Sequence, residues 1–249
     1  MTVTLHVWRV PATRVPAALW RMAVEPRRLR RTPGIRFAKL LGTARDGRFG
    51  PAAADPTRWA ALTVAARPPD FPGWARIAEA GCRLELRPLS SRGTWSGRDP
   101  FRPTPPDAAP PLEPPDPIAT AEPAGTVGNG PPGDGPVLAL TRARLRPARA
   151  AMFWRAVPPV AAALAEAPGL ISAFGIGEAP LGWQGTVSLW RGSTDLTRFA
   201  YRHPEHRRAI ARTATANWYA EELFARFAVL DVHGDTEVIG WVEGRRLPE

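Results

Sequence analysis

Residues 33–42 read PGIRFAKLLG and residues 168–177 read PGLISAFGIG: each stretch opens on Pro-Gly, runs through an apolar segment and ends on glycine. Other features repeat at a separation of 134 to 135 residues. The strand-like start Val3–Val10 corresponds to Val137–Ala143, and Trp20-Arg21 corresponds to Trp154-Arg155 in the helical pattern that follows. A shared order at a nearly constant offset reads as an internal duplication. Hydrophobic periodicity gives each half the order strand, helix, strand, strand, helix, strand. The expected elements are 3–10, 13–30, 35–43, 58–66, 71–80 and 82–90, then 137–144, 147–166, 170–177, 185–191, 204–221 and 223–232, with a short helix near 194–200. A βαββαβ order predicts an antiparallel sheet with helices on one face, the ferredoxin-like arrangement. The expected fold class is therefore α+β: two tandem ferredoxin-like units, set sheet against sheet as a dimeric-α/β-barrel-like pair within one chain.

Between the halves, residues 102–135 alternate clustered prolines (Pro103, Pro105, Pro106, Pro110, Pro111) with a later glycine series (Gly125, Gly128, Gly130). Such composition supplies few backbone donors and few core side chains, which predicts an extended connector. The expected organisation is a first unit over 1–101, a linker over 102–135 and a second unit over 136–249 that carries the functional site.

Composition narrows the class. With 44% apolar residues in 249, the chain can bury one large core or two smaller ones. No apolar run approaches the roughly 18 to 20 residues of a membrane span, and the N-terminus lacks the pattern of a secretory signal. The expectation is a cytoplasmic protein, with any association with the inner membrane peripheral. The single cysteine, Cys82, excludes an internal disulfide and a multi-cysteine metal site, and its setting in a strand start reads as a small buried residue. The net charge of +10 comes almost wholly from arginine, Lys39 being the one lysine. It favours anionic surfaces, but no nucleic-acid motif accompanies it and no nucleic acid is expected as a partner. The run Arg27-Arg28-Leu29-Arg30-Arg31 reads either as a contact for anionic lipid or as the solvated, dipole-complementing end of the first helix.

Four histidines, His6, His203, His206 and His233, are available for chemistry, and no catalytic triad or phosphate loop stands out. The densest segment is residues 201–227. Pro204 fits a helix N1 position and places His206 in the first turn, where the dipole favours a neutral, ligating imidazole. Residues three and four apart from His206 (Ala209, Ile210, Thr213, Ala214, Asn217) are small or apolar, so His206 points inward. It then reads either as a core histidine or as an axial ligand for a flat cofactor, with Arg207 and neighbouring arginines available for that cofactor's carboxylates. His203 with His206 as a zinc pair lacks further ligands. Gly175-Ile176-Gly177-Glu178 with Gln184 reads either as a place where a ligand approaches a strand or as a bulge before a hairpin. Lys39 falls on the same strand face as Ile35, Phe37 and Leu41, where it needs a partner such as a cofactor carboxylate or substrate oxygen, unless it snorkels to solvent.

Several of these segments together resemble the spheroidene monooxygenase (carotenoid 2-ketolase) family. They are Thr32-Pro33-Gly34-Ile35 with Phe37 and Lys39-Leu40; Arg92-Gly93-Thr94-Trp95-Ser96-Gly97 with Pro100-Phe101; and residues 135–147. They continue through Phe153-Trp154-Arg155, Gly175-Ile176-Gly177-Glu178, Gln184, Trp190, Phe199-Ala200-Tyr201 and His206 to Trp218 and Glu221–Phe227. The linker is longer than the family's pattern, and Gly185-Thr186-Val187 departs from its bulkier strand. The resemblance implies a monooxygenase that uses haem b iron, O2 and an electron-donor protein such as reduced ferredoxin to introduce a keto group into a hydrophobic polyene, a spheroidene-like carotenoid. On that reading His206, which lies in the family-like segment, is assigned as the proximal iron ligand, with His203 as the alternative, and Arg207, Lys39 and Trp218 are assigned to the cofactor. Two rivals stand beside it: a cofactor-free, antibiotic-biosynthesis-type monooxygenase acting on a polycyclic aromatic, and a non-catalytic carrier of apolar ligands.

Overall fold

The computed structural model describes residues 2–45, 53–102, 135–178, 183–202 and 217–241. The expected linker therefore lies, apart from its ends, outside the described residues. The first half contains β1 (Thr2–Arg9), α1 (Val15–Arg31), β2 (Ile35–Ala44), β3 (Ala54–Ala65), α2 (Pro72–Ala75) and β4 (Ala80–Gly93). The second contains β5 (Val137–Leu145), α3 (Ala150–Ala165), β6 (Leu170–Gly177), β7 (Trp183–Trp190), α4 (Ser193–Arg202) and β8 (Tyr219–Gly234). A 3-10 turn leads into each long helix, Ala12–Arg14 before α1 and Pro147–Arg149 before α3, which is the duplication in local structure.

The eight strands form one closed antiparallel barrel in the order β1-β3-β2-β6-β7-β5-β8-β4. Within it, β4-β1-β3-β2 and β8-β5-β7-β6 repeat the same order. The expectation of two sheets set face to face is corrected here: the halves join edge to edge. One seam is short, with Gly42 opposite Gly177 and Thr43 opposite Ile176. The other runs from Cys82 opposite Gly234 to Gly93 opposite Leu223. Closure removes the exposed strand edges that an open sheet would present.

Because the barrel interior lies on one face and helices on the other, central strands are apolar on both faces. In β1, Val3, Leu5 and Val7 point inward while Trp8 joins the outer layer. The interior core draws on both halves, from Leu5, Phe37 and Leu62 to Leu140, Phe174 and Phe227. The segment after β4 buries Trp95 and Phe101 in one mouth. At the opposite end of the β4–β8 ladder, the 3-10 turn Thr236–Ile239 buries Val238 and Ile239. Arg58, 1% exposed, sits there over the Phe174 ring at 4.9 Å and donates to Thr43 Oγ1 at 3.1 Å and to the Ala44 carbonyl.

Two expected helices are revised. The one over 71–80 is the single turn α2, because Glu79 and Ala80 already bond to Arg9 of β1 as β4 begins; Trp74 of that turn stacks on Trp8 with centroids 5.0 Å apart. The one over 204–221 cannot reach its expected end. Asn217 has a left-handed φ of 48° and β8 begins at Tyr219; the rest of that span is outside the described residues. No described helix is long and apolar enough to cross a membrane.

Candidate functional site

Two places hold chemistry-bearing side chains: the Trp95 mouth of the barrel, and the layer between the second half's sheet and α3.

In the mouth, side chains from three strands (β2, β5 and β8), from Glu178 and from the Trp95 segment meet. Glu178, just after β6, accepts from Lys39 Nζ at 2.5 Å, Arg142 Nη2 at 2.9 Å and Trp95 Nε1 at 2.7 Å. Arg142, 2% exposed, also pairs with Glu221, which in turn accepts from the Gly97 N–H at 2.8 Å and Thr94 Oγ1 at 3.2 Å. Lys39 donates further to Ser96 Oγ at 2.8 Å. Both cations lie over the Trp95 ring, Lys39 at 5.8 Å and Arg142 at 5.4 Å. Burial alone would raise the Glu221 carboxyl; the Gly97 N–H, Arg142 and Thr94 outweigh it and hold the group below its ordinary range. Two cations and two carboxylates make this network electrically self-sufficient. Lys39 thus faces the interior with Phe37 and Leu41, whereas Ile35 packs in the outer layer because the register shifts between Ile35 and Phe37; the partner of Lys39 is a protein carboxylate. The strand glycines near Glu178 mark no bulge, since Gly175, Ile176 and Gly177 pair in regular register with Thr186, Gly185 and Gln184.

The outer layers of the two halves differ sharply at matched positions. In the first half one row across the sheet is Gly42–Trp59–Trp8 and the next is Leu40–Ala61–His6. The corresponding rows in the second half are Gly177–Gln184–Ala143 and Gly175–Thr186–Thr141. Two tryptophans, a leucine and a histidine are thus replaced by glutamine, alanine, glycine and threonine. The first layer is filled by Trp8, Trp59, Phe71 and Trp74. In the second, the packed apolar cluster (Val137, Ala163, Leu164, Trp190, Leu196, Phe199) stays at the far end of the sheet. The first turns of α3, from Ala150 to Ala162, bury no residue fully despite their apolar sequence. Gln184 has both amide atoms buried without a hydrogen-bond partner, and the indole N–H of Trp218 is in the same condition. Trp218, 3% exposed, packs edge-on against Phe153 of α3 at 5.6 Å. A native layer that leaves buried polar atoms unsatisfied calls for a group to satisfy them. Small residues on the sheet, a half-covered apolar helix and free polar atoms on Gln184 and Trp218 fit a flat, mostly apolar cofactor with polar edges.

His203, His206 and Arg207 lie outside the described residues, in the segment that joins α4 to the turn before β8. Lys39 and Trp218, grouped from the sequence as cofactor-binding, belong to different places: the barrel mouth and the α3 layer. Among the described histidines, His6 is 8% exposed, edge-on to Phe71 at 4.9 Å and stacked on Trp8 at 5.5 Å. Burial, reinforced by Arg83, lowers its pKa to about 4, so it is neutral. His233 lies at the exposed end of β8 beside Asp231 at 3.1 Å. Cys82 is inside the barrel; burial, with Asp235, pushes its thiol up to about 11 and disfavours the ligating thiolate. No group of three or more metal-ligating side chains occurs among the described residues. Sequence reasoning missed the network of Arg142, Glu178 and Glu221 and the emptied rows around Gln184. A signal for the rows existed in the duplication itself, once each half is aligned by strand register.

No family model matches the chain. Among solved structures, aldoxime dehydratase is similar with a TM-score of 0.49 at 12% identity, covering 92% of this chain and 81% of that one. An anthrone oxidase-like protein is similar with a TM-score of 0.33 at 11% identity, covering 94% and 92%. Relatives by sequence are nearer. The spheroidene monooxygenase of Rhodobacter capsulatus is 33% identical over 241 residues, 93% of this chain and 91% of the relative. That of Rubrivivax gelatinosus is 34% identical over 211 residues, 81% and 72% of the two. One of Cereibacter sphaeroides is 27% identical over 249 residues, 95% and 69%. At 33% identity over 93% of this chain and 91% of the Rhodobacter capsulatus enzyme, this protein belongs to the spheroidene monooxygenase family.

Proposed function

We propose that the protein is a haem-dependent monooxygenase that introduces a keto group into a spheroidene-like carotenoid, using O2 and electrons from a donor protein such as reduced ferredoxin. The observation that carries the cofactor is the replacement of the Gly42–Trp59–Trp8 row by Gly177–Gln184–Ala143, with the Gln184 amide left unpartnered. His206 would hold the iron, Arg207 would pair with the haem carboxylates, and Trp218 would border the ring. When bound, haem supplies the redox-active iron at which O2 is reduced. Gln184 offers a hydrogen-bond donor and acceptor inside a layer that α3 shields from water, where such a bond is stronger than in solvent. Phe153 and Trp218 present an apolar, aromatic wall suited to a polyene. Lys39 has an indirect part: it holds Glu178 at the end of β6, directly after the Gly177 that floors the layer.

The test is purification from a haem-replete host followed by supply of spheroidene, O2 and reduced ferredoxin. A Soret band and a product heavier by one oxygen and lighter by two hydrogens are the expected results. A colourless but active protein would indicate the cofactor-free chemistry, and pigment returned unchanged would indicate a carrier. His206→Ala is expected to abolish haem retention and His203→Ala to preserve it; the reverse pattern moves the ligand to His203.

A further inference from the structure

The outward face of α1 carries a surface that the barrel does not use. Its buried positions are Ala18 and Leu29, and its one acid, Glu25, turns inward to accept from Trp74 Nε1 at 2.6 Å. At helical spacing the solvent face reads Pro16, Leu19, Trp20 and Ala23, then Arg27, Arg30 and Arg31. Trp20, 67% exposed, is the most exposed large apolar side chain among the described residues, and its neighbour Leu19 is 55% exposed. A helix that turns its one acid toward Trp74 while presenting a tryptophan and a leucine in line with three arginines has the chemistry of the lipid interface. The amphipathic indole sits at headgroup depth and the guanidinium groups meet anionic headgroups.

We propose that this face of α1 docks the protein peripherally on the surface of a membrane containing anionic lipid. The occupant is chosen by charge complementarity together with the exposed Trp20-Leu19 pair, since a purely electrostatic ligand such as nucleic acid would leave those side chains without a role. The inference rests on the surface alone and stands or falls independently of the cofactor. It also supplies what a bilayer-dissolved substrate demands, an enzyme held where the substrate is.

The experiment is vesicle co-sedimentation of the full-length protein, using phosphatidylcholine vesicles with and without phosphatidylglycerol, at low and high salt. Binding is expected to the anionic vesicles and to weaken with salt. Each basic side chain near an anionic surface contributes about fivefold to partitioning, so Arg27→Glu with Arg31→Glu should weaken binding at least about 25-fold. Trp20→Ser should weaken it about tenfold at every salt concentration. The charge-matched pair Arg149→Glu, in the 3-10 turn before α3, with Arg155→Glu on α3 should bind as the parent does. Circular dichroism of each variant should match the parent, the substituted side chains being on the surface or partly so. The proposal is overturned if the parent ignores anionic vesicles, if it captures RNA but no vesicle, or if both double variants lose binding equally.

Discussion

The Glu178 carboxylate shows how much a single side chain can organise. It accepts bonds from Lys39, Arg142 and Trp95, and removing it would take the carboxylate from Lys39 and leave Arg142 with Glu221, in a barrel mouth where the Arg142 side chain is 2% exposed. Breaking a buried pair from one side costs about 3–5 kcal/mol, so Glu178→Ala should lower the urea midpoint accordingly; an unchanged midpoint would mean the network is not stabilising. Gln184 predicts the opposite sign. Because its amide is buried and unpartnered, Gln184→Leu should stabilise the haem-free protein by roughly 1–3 kcal/mol, and destabilisation would show the amide already satisfied. His6 predicts a pH dependence. Its folded pKa of about 4 lies below the unfolded 6.5, so the unfolded chain takes up a proton first as pH falls. Stability that is complete above pH 6.5 should therefore decline toward pH 4 by roughly 3 kcal/mol. Urea unfolding of the parent and of His6→Phe across that range checks it: the variant should lose that part of the slope, and parallel curves would acquit His6.

At the scale of elements, periodicity succeeded where a strand or helix satisfies its own pattern and failed where remote packing overrides it. The alternation of Leu223, Ala225 and Phe227 inward is visible in the sequence, but the helical reading was carried past Asn217 into residues that belong to β8. The expected helix at 71–80 shrank to α2 because residues 79 and 80 pair with Arg9 of β1 and begin β4. The exit of β4 depends on Gly93, whose φ of 95° turns the chain across the mouth, and a Cβ there would collide with the Glu222 carbonyl. Gly93→Ala should cost more than about 1 kcal/mol and loosen Trp95, raising the accessibility of its indole to acrylamide. Unaltered quenching with unaltered stability would show that the turn tolerates a side chain.

At the scale of the molecule, the barrel interior is one core shared by both halves, and neither half closes it alone. Residues 1–101 and 136–249 produced separately should expose their inward faces and aggregate, while the intact chain should unfold in a single transition by circular dichroism and tryptophan fluorescence. Two resolved transitions would contradict the shared core. The seams should also differ in hydrogen exchange, the short Gly42–Gly177 contact opening before the long β4–β8 ladder.

The amino-acid sequence by itself determined the duplication, the strand and helix order of each half, the inward face of Lys39 and the buried character of Cys82, because each is written in residues that neighbour one another along the chain. Tertiary structure alone decided that the sheets join by their edges, that Lys39, Arg142, Glu178 and Glu221 meet in one mouth, and that the second outer layer is emptied where the first is filled with tryptophan. Those outcomes are set by which distant strands pair and in what register. Local periodicity constrains the face a residue takes; it does not select the partner opposite.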